Sequence, residues 1–196
     1  MKNNIYRRAE FLEGAHNPSQ FPPDSGSEVA FAGRSNSGKS SVINVVTGKR
    51  SLARVSKTPG RTQQINFFTV TEDIRLVDLP GYGYAGVPGM VRQHWAKLIN
   101  AYFDRRKSLQ GLILVTDIRR RLTAYDEQML AWAWEKQLPV CILLNKADKL
   151  SRGGAKQAFT AVANQVDQQF TSVMLFSALK KSGVEEVVGQ LDDWLQ

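Results

Sequence analysis

This sequence predicts a doubly wound α/β domain: a mixed, mostly parallel sheet with helices on both faces. Three observations carry that reading. Apolar runs of strand length recur along the chain, and several are continuous rather than alternating, as strands buried on both faces require. Segments with helical periodicity lie between them. A loop of glycines and small polar residues, "GRSNSGKS", joins the first of these runs to the first of the helices, at the end of the strand where such folds hold their ligands.

The elements follow in order. Residues 1–27, ending in the Pro-, Ser- and Gly-rich "AHNPSQFPPDSGS", read as an N-terminal arm or loop. Residues 28–196 read as the domain proper. Its strands are "VAFAG", "INFFTV", "IRLVDLP", "GLILVTDI", "PVCILLNK" and "SVMLFSA". Only "TED" separates the second from the third, so these two form a hairpin and one edge strand runs antiparallel. A six-stranded sheet is therefore expected. "SSVINVVTG" is the first helix and "GMVRQHWAKLINAYFDRRK" the second. "LTAYDEQMLAWAWEKQ" opens on a capping-box pattern, with Asp126 three residues after Thr123. "GVEEVVGQLDDWL" puts Val184, Val187, Val188, Leu191 and Leu195 on one stripe. Trp95, Trp132, Trp134 and Trp194 sit in helical patterns and are expected to pack on the sheet.

Composition narrows the class. A chain of 196 residues suits one domain. The one cysteine, Cys141, excludes an internal disulfide framework and a cysteine-rich zinc site. It lies inside "VCILLN" and reads as a buried small hydrophobe. His16 and His94 stand in no metal-ligand pattern, which favours surface or packing roles. No apolar run approaches membrane-spanning length, and the N-terminal residues lack a leader's apolar stretch, so a cytoplasmic protein is expected. The formal net charge of +8 favours a polyanionic partner.

"GRSNSGKS" fits G-x-x-x-x-G-K-[ST] between a strand and a helix. Gly33 and Gly38 permit the turn and the close approach of a polyphosphate to backbone N–H groups. Arg34, Ser35, Asn36 and Ser37 supply the loop between them, and Ser41 follows at the helix start. The helix N-terminus adds positive potential. Lys39 can reach the β- and γ-phosphates, and Ser40 can offer its hydroxyl to Mg²⁺. In "LVDLPGYG", Asp78, Leu79, Pro80 and Gly81 form D-x-x-G. Asp78 can hold Mg²⁺, directly or through water, and the Gly81 N–H can approach the γ-phosphate. The phosphate loop alone does not choose between ATP and GTP.

"LLNKAD" makes that choice. Asp148 can accept from guanine N1–H and N2–H₂ together. Adenine lacks that paired donor edge and would leave the carboxylate badly paired. The Lys146 stem can lie over the base, and Asn145 can tie this loop to the phosphate loop. In "FSALKK", Ser177, Ala178 and Leu179 can form a second loop around the guanine. A metabolic P-loop kinase or ATPase, the other enzyme class with such a loop, is disfavoured by "NKAD".

These motifs, in this order on six strands, resemble a TRAFAC-class GTPase with the three-layer Ras-like fold. The stretches "EVAFAGRSNSGKSS", "SKTPGRTQQINFF", "RLVDLPGYGYA", "SLQGLILVTDIRR" and "LLNKADKL" narrow this further. They resemble the EngB/YihA/YsxC family of bacterial GTP-binding proteins over almost the whole chain from Glu28. The resemblance implies a GTPase that assists assembly of the large ribosomal subunit, contacts its precursor and rRNA, and supports normal cell division and septation. A monomer is expected. An alternative of another class is a signalling switch acting on a protein partner in division, with no direct RNA role.

"RSLARVSKTPGRTQ" reads as the first switch loop. Within it Gly60, Arg61 and Thr62 match the family's site, and Thr62 matches the threonine that completes the Mg²⁺ shell. Thr58 is the runner-up, since the following Pro59 favours a turn. The catalytic set so implied is Lys39, Thr62 and Gly81. The loop from Pro80 to Met90 is the second switch, and GTP would order both loops. Where many small GTPases carry a water-orienting glutamine, this chain has Tyr82. Slow intrinsic hydrolysis, raised by a partner, is therefore expected. Asn36 matches the phosphate-loop asparagine of GTPases that bind K⁺ beside the phosphates; a loop-bracing role is the alternative. RNA-facing candidates are Lys49, Arg50, Arg54, Lys57 and Arg61 at the first switch, then Arg105, Arg106 and Lys107, Arg119, Arg120 and Arg121, and Lys180 and Lys181.

Overall fold

The continuous apolar runs become the centre of a sheet because both of their faces are covered. The computed structural model describes residues 4–54, 64–83 and 89–195. After a short 3-10 turn come β1 (Glu10–Ala15), β2 (Ser27–Gly33), α1 (Lys39–Val46), β3 (Ile65–Thr69), β4 (Ile74–Asp78), α2 (Gly89–Arg105), β5 (Leu109–Asp117), α3 (Ala124–Glu135), β6 (Val140–Asn145), α4 (Arg152–Ala163), β7 (Thr171–Leu175) and α5 (Val184–Leu195). The sheet order is β1-β3-β4-β2-β5-β6-β7. β4, β2, β5, β6 and β7 pair in parallel, while β3 runs antiparallel to both of its neighbours.

Period-two packing divides the core between the two faces. Ala30, Leu112, Leu114, Ile142 and Leu144 meet Leu98, Ile99 and Tyr102 of α2, Met129 of α3 and Val162 of α4. Val29, Phe31, Ile113, Val115 and Leu143 meet Val42, Ile43 and Val46 of α1 and Val187 and Leu191 of α5. Each fully buried side chain of this size contributes roughly 1.5–3 kcal/mol. Cys141 is buried with the second group, and burial pushes its thiol up to about 11, so it packs as a small hydrophobe. The four tryptophans pack at the edges of the two cores.

The sheet has seven strands rather than the six expected. The added one, β1, lies in the N-terminal arm, and it displaces β3 from the edge. Its burial is shallow, with Glu10 to Glu13 exposed, and a bulge interrupts its pairing between Phe11 and Glu13. Charge and irregularity of this kind blunt a sheet edge and hide a strand from an apolar-run search. α4 is the other unforeseen element. Two glycines in its first turn weaken its helical signal, but Ser151 caps it by accepting from the Gly154 N–H at 3.2 Å.

Below the sheet, at the start of β2, Glu28 is fully buried. It accepts from Arg75 Nε at 2.7 Å, from Arg106 Nε at 3.2 Å and from Tyr102 Oη at 3.3 Å. Arg106 Nη2 adds a further short bond to the same carboxylate. The two arginines reach onward to the arm: Arg106 Nη1 donates to the Pro22 carbonyl at 2.6 Å, and Arg75 Nη2 to the carbonyls of Pro23 and Ser25. Asp24 accepts from the N–H groups of Lys107 and Ser108, each at 3.0 Å. Arg106 also lies over the Phe67 ring, 5.6 Å from its centroid. Arg106 is therefore buried and committed, and it leaves the set of RNA-facing candidates. The histidines also join the arm to the domain: His94 Nε2 donates to the His16 carbonyl at 2.9 Å.

Candidate functional site

The carboxyl ends of β2, β4, β6 and β7 bring the motif loops together. Residues 34–38 connect β2 to α1. Gly38 has φ +94°, and a Cβ there would collide with the Asn145 amide. A Cβ on Gly33 would come within 2.5 Å of the Val115 carbonyl oxygen and 2.8 Å of Ser37 Oγ. Both positions therefore require glycine. Asn36 is also left-handed, with φ +68°, a conformation its short polar side chain tolerates.

The loop's carbonyls face away from its open donors. Asn145 Nδ2 donates to the Ser37 carbonyl at 2.9 Å, and Lys146 Nζ to the Asn36 carbonyl at 2.7 Å. Among the described residues, the N–H groups of Asn36, Gly38, Lys39, Ser40 and Ser41 make no hydrogen bond. The Ser37 hydroxyl is buried without a partner. Unpaired donors of this kind at a helix N-terminus fit a polyphosphate.

Lys39 reaches across to β4, where its ammonium is bonded to the buried Asp78 carboxylate. Ser40 stands one residue further along α1. One hydroxyl and one carboxylate form a hard-oxygen donor set that suits Mg²⁺, which uses few protein ligands beside phosphate oxygens. Among the described residues there is no cluster of three or more His, Cys, Asp or Glu placed to hold a metal without a phosphate. Leu79 is buried, with its N–H on the Phe31 carbonyl at 2.9 Å, and the Pro80 carbonyl accepts from Trp95 Nε1 at 3.3 Å. Gly81 packs closely on Ser35, whose Oγ donates to the Gly81 carbonyl at 3.4 Å. Gly60, Arg61 and Thr62, with Lys57 and Thr58, lie outside the described residues.

Tyr82 is 4% exposed and turned into the layer between α2 and α3. Its hydroxyl donates to Asp126 Oδ1 at 2.5 Å. Asp126 Oδ2 meanwhile accepts from the N–H and hydroxyl of Thr123, completing the capping box of α3. Burial, and then the Asp126 charge, raise the phenol well above its ordinary value. The Tyr82 backbone is bonded to the phosphate loop, accepting from the Ser35 N–H at 2.8 Å and donating to the Gly33 carbonyl at 3.4 Å. Tyr82→Phe is expected to lower stability by about 1–2 kcal/mol, because Asp126 loses a buried donor; a urea unfolding curve measures it. An unchanged midpoint would show that water replaces the phenol.

Around the β6 loop, Asn145 Oδ1 accepts from the Ala178 N–H at 3.3 Å. Asp148 Oδ1 accepts from the Ser177 hydroxyl at 2.5 Å, and this bond holds the carboxyl below its ordinary value. The loop after β7 thus lies directly on the loop after β6. Leu179, by contrast, is 70% exposed and takes no part in this network. Sequence reasoning gave Asp117 no role. This residue ends β5, accepts from Arg119 Nη2 at 2.7 Å and pairs with Lys146 Nζ at 2.8 Å. Arg119 first, with help from Lys146, holds its carboxyl well below the usual range. Asp117 therefore positions Lys146 between β5 and the Asn36 carbonyl. A carboxylate at a strand end, in "TDIRR", was the available signal.

A parallel-dominated sheet with this strand order, phosphate loop and base-side loop defines the P-loop GTPase fold. Residues 28–146 match the family described as 50S ribosome-binding GTPase. A probable GTP-binding protein EngB of Nitrosococcus oceani is 52% identical over 195 residues, covering 98% of each chain. A crystal structure of a probable GTP-binding protein EngB superposes with TM-score 0.71 at 24% identity, covering 86% of this chain and 98% of that one. The NFeoB structure of S. thermophilus, bound to GDP·AlF₄⁻ and K⁺, superposes with TM-score 0.62 at 28% identity, covering 86% and 62%. This chain belongs to the EngB family of GTP-binding proteins, and its activity is GTP hydrolysis.

Proposed function

We propose that this protein is a Mg²⁺-dependent, GTP-driven switch in assembly of the large ribosomal subunit, contacting its precursor and rRNA in the cytoplasm and thereby supporting cell division and septation. The family match over residues 28–146 carries this reading. The net charge of +8 supports an RNA-rich partner. No helix among the described residues is long and apolar enough to cross a membrane.

In this reading, residues Gly33 to Ser41 cradle the phosphates and Lys39 leaves Asp78 to meet the β- and γ-phosphates. Ser40, Thr62 and, through water, Asp78 would hold Mg²⁺, which would supply neutralisation of phosphate charge. The Gly81 N–H meets the γ-phosphate. Asn145, Lys146, Asp148, Ser177 and Ala178 recognise the guanine. Tyr82 is committed to Asp126, so water is oriented by other groups and unaided turnover is slow. Asn36 seats K⁺ beside the phosphates, a cation that the NFeoB structure also holds.

The test is co-sedimentation with large-subunit particles in GTP-analogue, GDP and nucleotide-free states, joined to turnover in K⁺ and Na⁺. Binding that changes with nucleotide, and faster turnover in K⁺, are expected. Nucleotide-independent binding would overturn the switch reading, and equal rates in the two salts would remove the K⁺ role.

A further inference from the structure

Beside the phosphate loop lies a cleft of about 290 Å³. It is walled by residues 34–37 of that loop, by the turn after β5 and by the start of α3. Lys39, Ser40, Asp78 and Asp148 do not line it, whereas Asn36, Ser37 and Lys146 do. The cleft therefore adjoins the nucleotide site and shares the phosphate loop with it.

Its lining is strongly cationic. Arg34, Arg119, Arg120, Arg121 and Lys146 border it, against the carboxylates of Asp117 and Asp126. Both carboxylates are already engaged, Asp117 with Arg119 and Lys146, and Asp126 with Thr123 and Tyr82. Arg34, Arg120 and Arg121 have no acidic partner among the described residues. The turn that presents Arg120 and Arg121 is held by its own bonds: the Arg120 N–H donates to the Asp117 carbonyl at 2.8 Å, and the Arg119 N–H to Asp117 Oδ1 at 3.1 Å. Three guanidiniums without countercharge, two on this braced turn and Arg34 on the phosphate loop, suit the planar, bidentate recognition of phosphate.

We infer that this cleft receives the phosphodiester backbone of an RNA strand. The inference rests on the ribosomal reading above and gives it a location in the fold. Gly83 also lines the cleft, and its Cα lies against Arg34: a Cβ there would stand 3.1 Å from Arg34 Cγ and Nε. An RNA phosphate seated here would press on the phosphate loop and on the residue that follows Tyr82. RNA contact and nucleotide state would thus share one wall.

The experiment uses the full chain and deproteinised large-subunit ribosomal RNA, with binding measured as a function of salt. Arg120→Ala with Arg121→Ala changes two exposed side chains outside the nucleotide machinery. GDP affinity and thermal stability are expected to stay at wild-type values. RNA affinity is expected to fall roughly tenfold, and the salt slope to drop by about 2, one for each lost phosphate contact. A control with the same charge loss, Arg152→Ala with Lys156→Ala on the exposed side of α4, is expected to bind as wild type. Equal losses in the two variants, or no loss in the first, would overturn the cleft and leave the ribosomal reading standing. Failure of the wild-type protein to bind the RNA at all would overturn both.

Discussion

Asp148→Asn is expected to lower GDP and GTP affinity by roughly 10²–10⁴-fold while leaving the folded structure intact. The proposal behind it is that the Asp148 carboxylate accepts from guanine N1–H and N2–H₂ together. An amide presents one acceptor and one donor. Its donor would face the guanine amino group, and a polar edge built for pairing is lost when one partner is replaced. The same amide matches xanthine, which carries an oxygen where guanine carries N2–H₂, so xanthosine diphosphate should bind the variant better than GDP. Equilibrium titration with both nucleotides reads this directly. Unchanged preference for GDP would remove Asp148 from base recognition.

The pH dependence follows from the same residue. Ser177 holds the Asp148 carboxyl below its ordinary value. A group depressed on folding stabilises the folded state above its unfolded value and loses that contribution as pH falls through the folded one. Guanine binding should therefore persist below the ordinary carboxylate range. Ser177→Ala should move its loss to higher pH.

Glu28→Ala is expected to be the most destabilising single substitution at the base of the sheet, costing about 3–5 kcal/mol. It strands the Arg75 and Arg106 guanidiniums, both nearly buried, with Asp24 the remaining acidic neighbour of Arg106 at 3.7 Å. That is a large share of the roughly 5–15 kcal/mol typical of a folded domain. The carboxylate also orients the arginines that clasp the Pro22 to Ser25 backbone, so the arm should open before the sheet. Urea denaturation should show a midpoint lower by about 1 M or more. Hydrogen exchange should show early loss of protection at Lys107 and Ser108, whose N–H groups bond to Asp24. A cost below about 1 kcal/mol would mean that water reaches and solvates the guanidiniums.

Much of this protein was legible before its coordinates. The six apolar runs all became strands, because a sheet covered on both faces leaves no polar alternation to obscure them. The β3–β4 hairpin and the Thr123–Asp126 cap were equally local, each set by a few neighbouring residues. β1 escaped because it offers no continuous apolar run, with Glu10 and Glu13 exposed on either side of the exposed Phe11 and Leu12, and because its partner β3 lies some fifty residues on. α4 escaped because glycines weaken its first turn.

The division is sharpest at the charged and aromatic groups. The sequence by itself determined the phosphate loop, since the spacing of Gly33, Gly38, Lys39 and Ser40 between a strand and a helix is set along the chain. It also determined the family, through motifs whose order and spacing survive in one dimension. Only the tertiary structure decided that Arg106 is buried on Glu28 rather than turned to RNA, that Asp117 braces Lys146, and that Tyr82 bonds to Asp126 instead of facing the phosphates. The physical reason is that a backbone conformation is a local property. The environment of a charge or a phenol is instead made by groups far away in sequence, and it exists only once they are folded together.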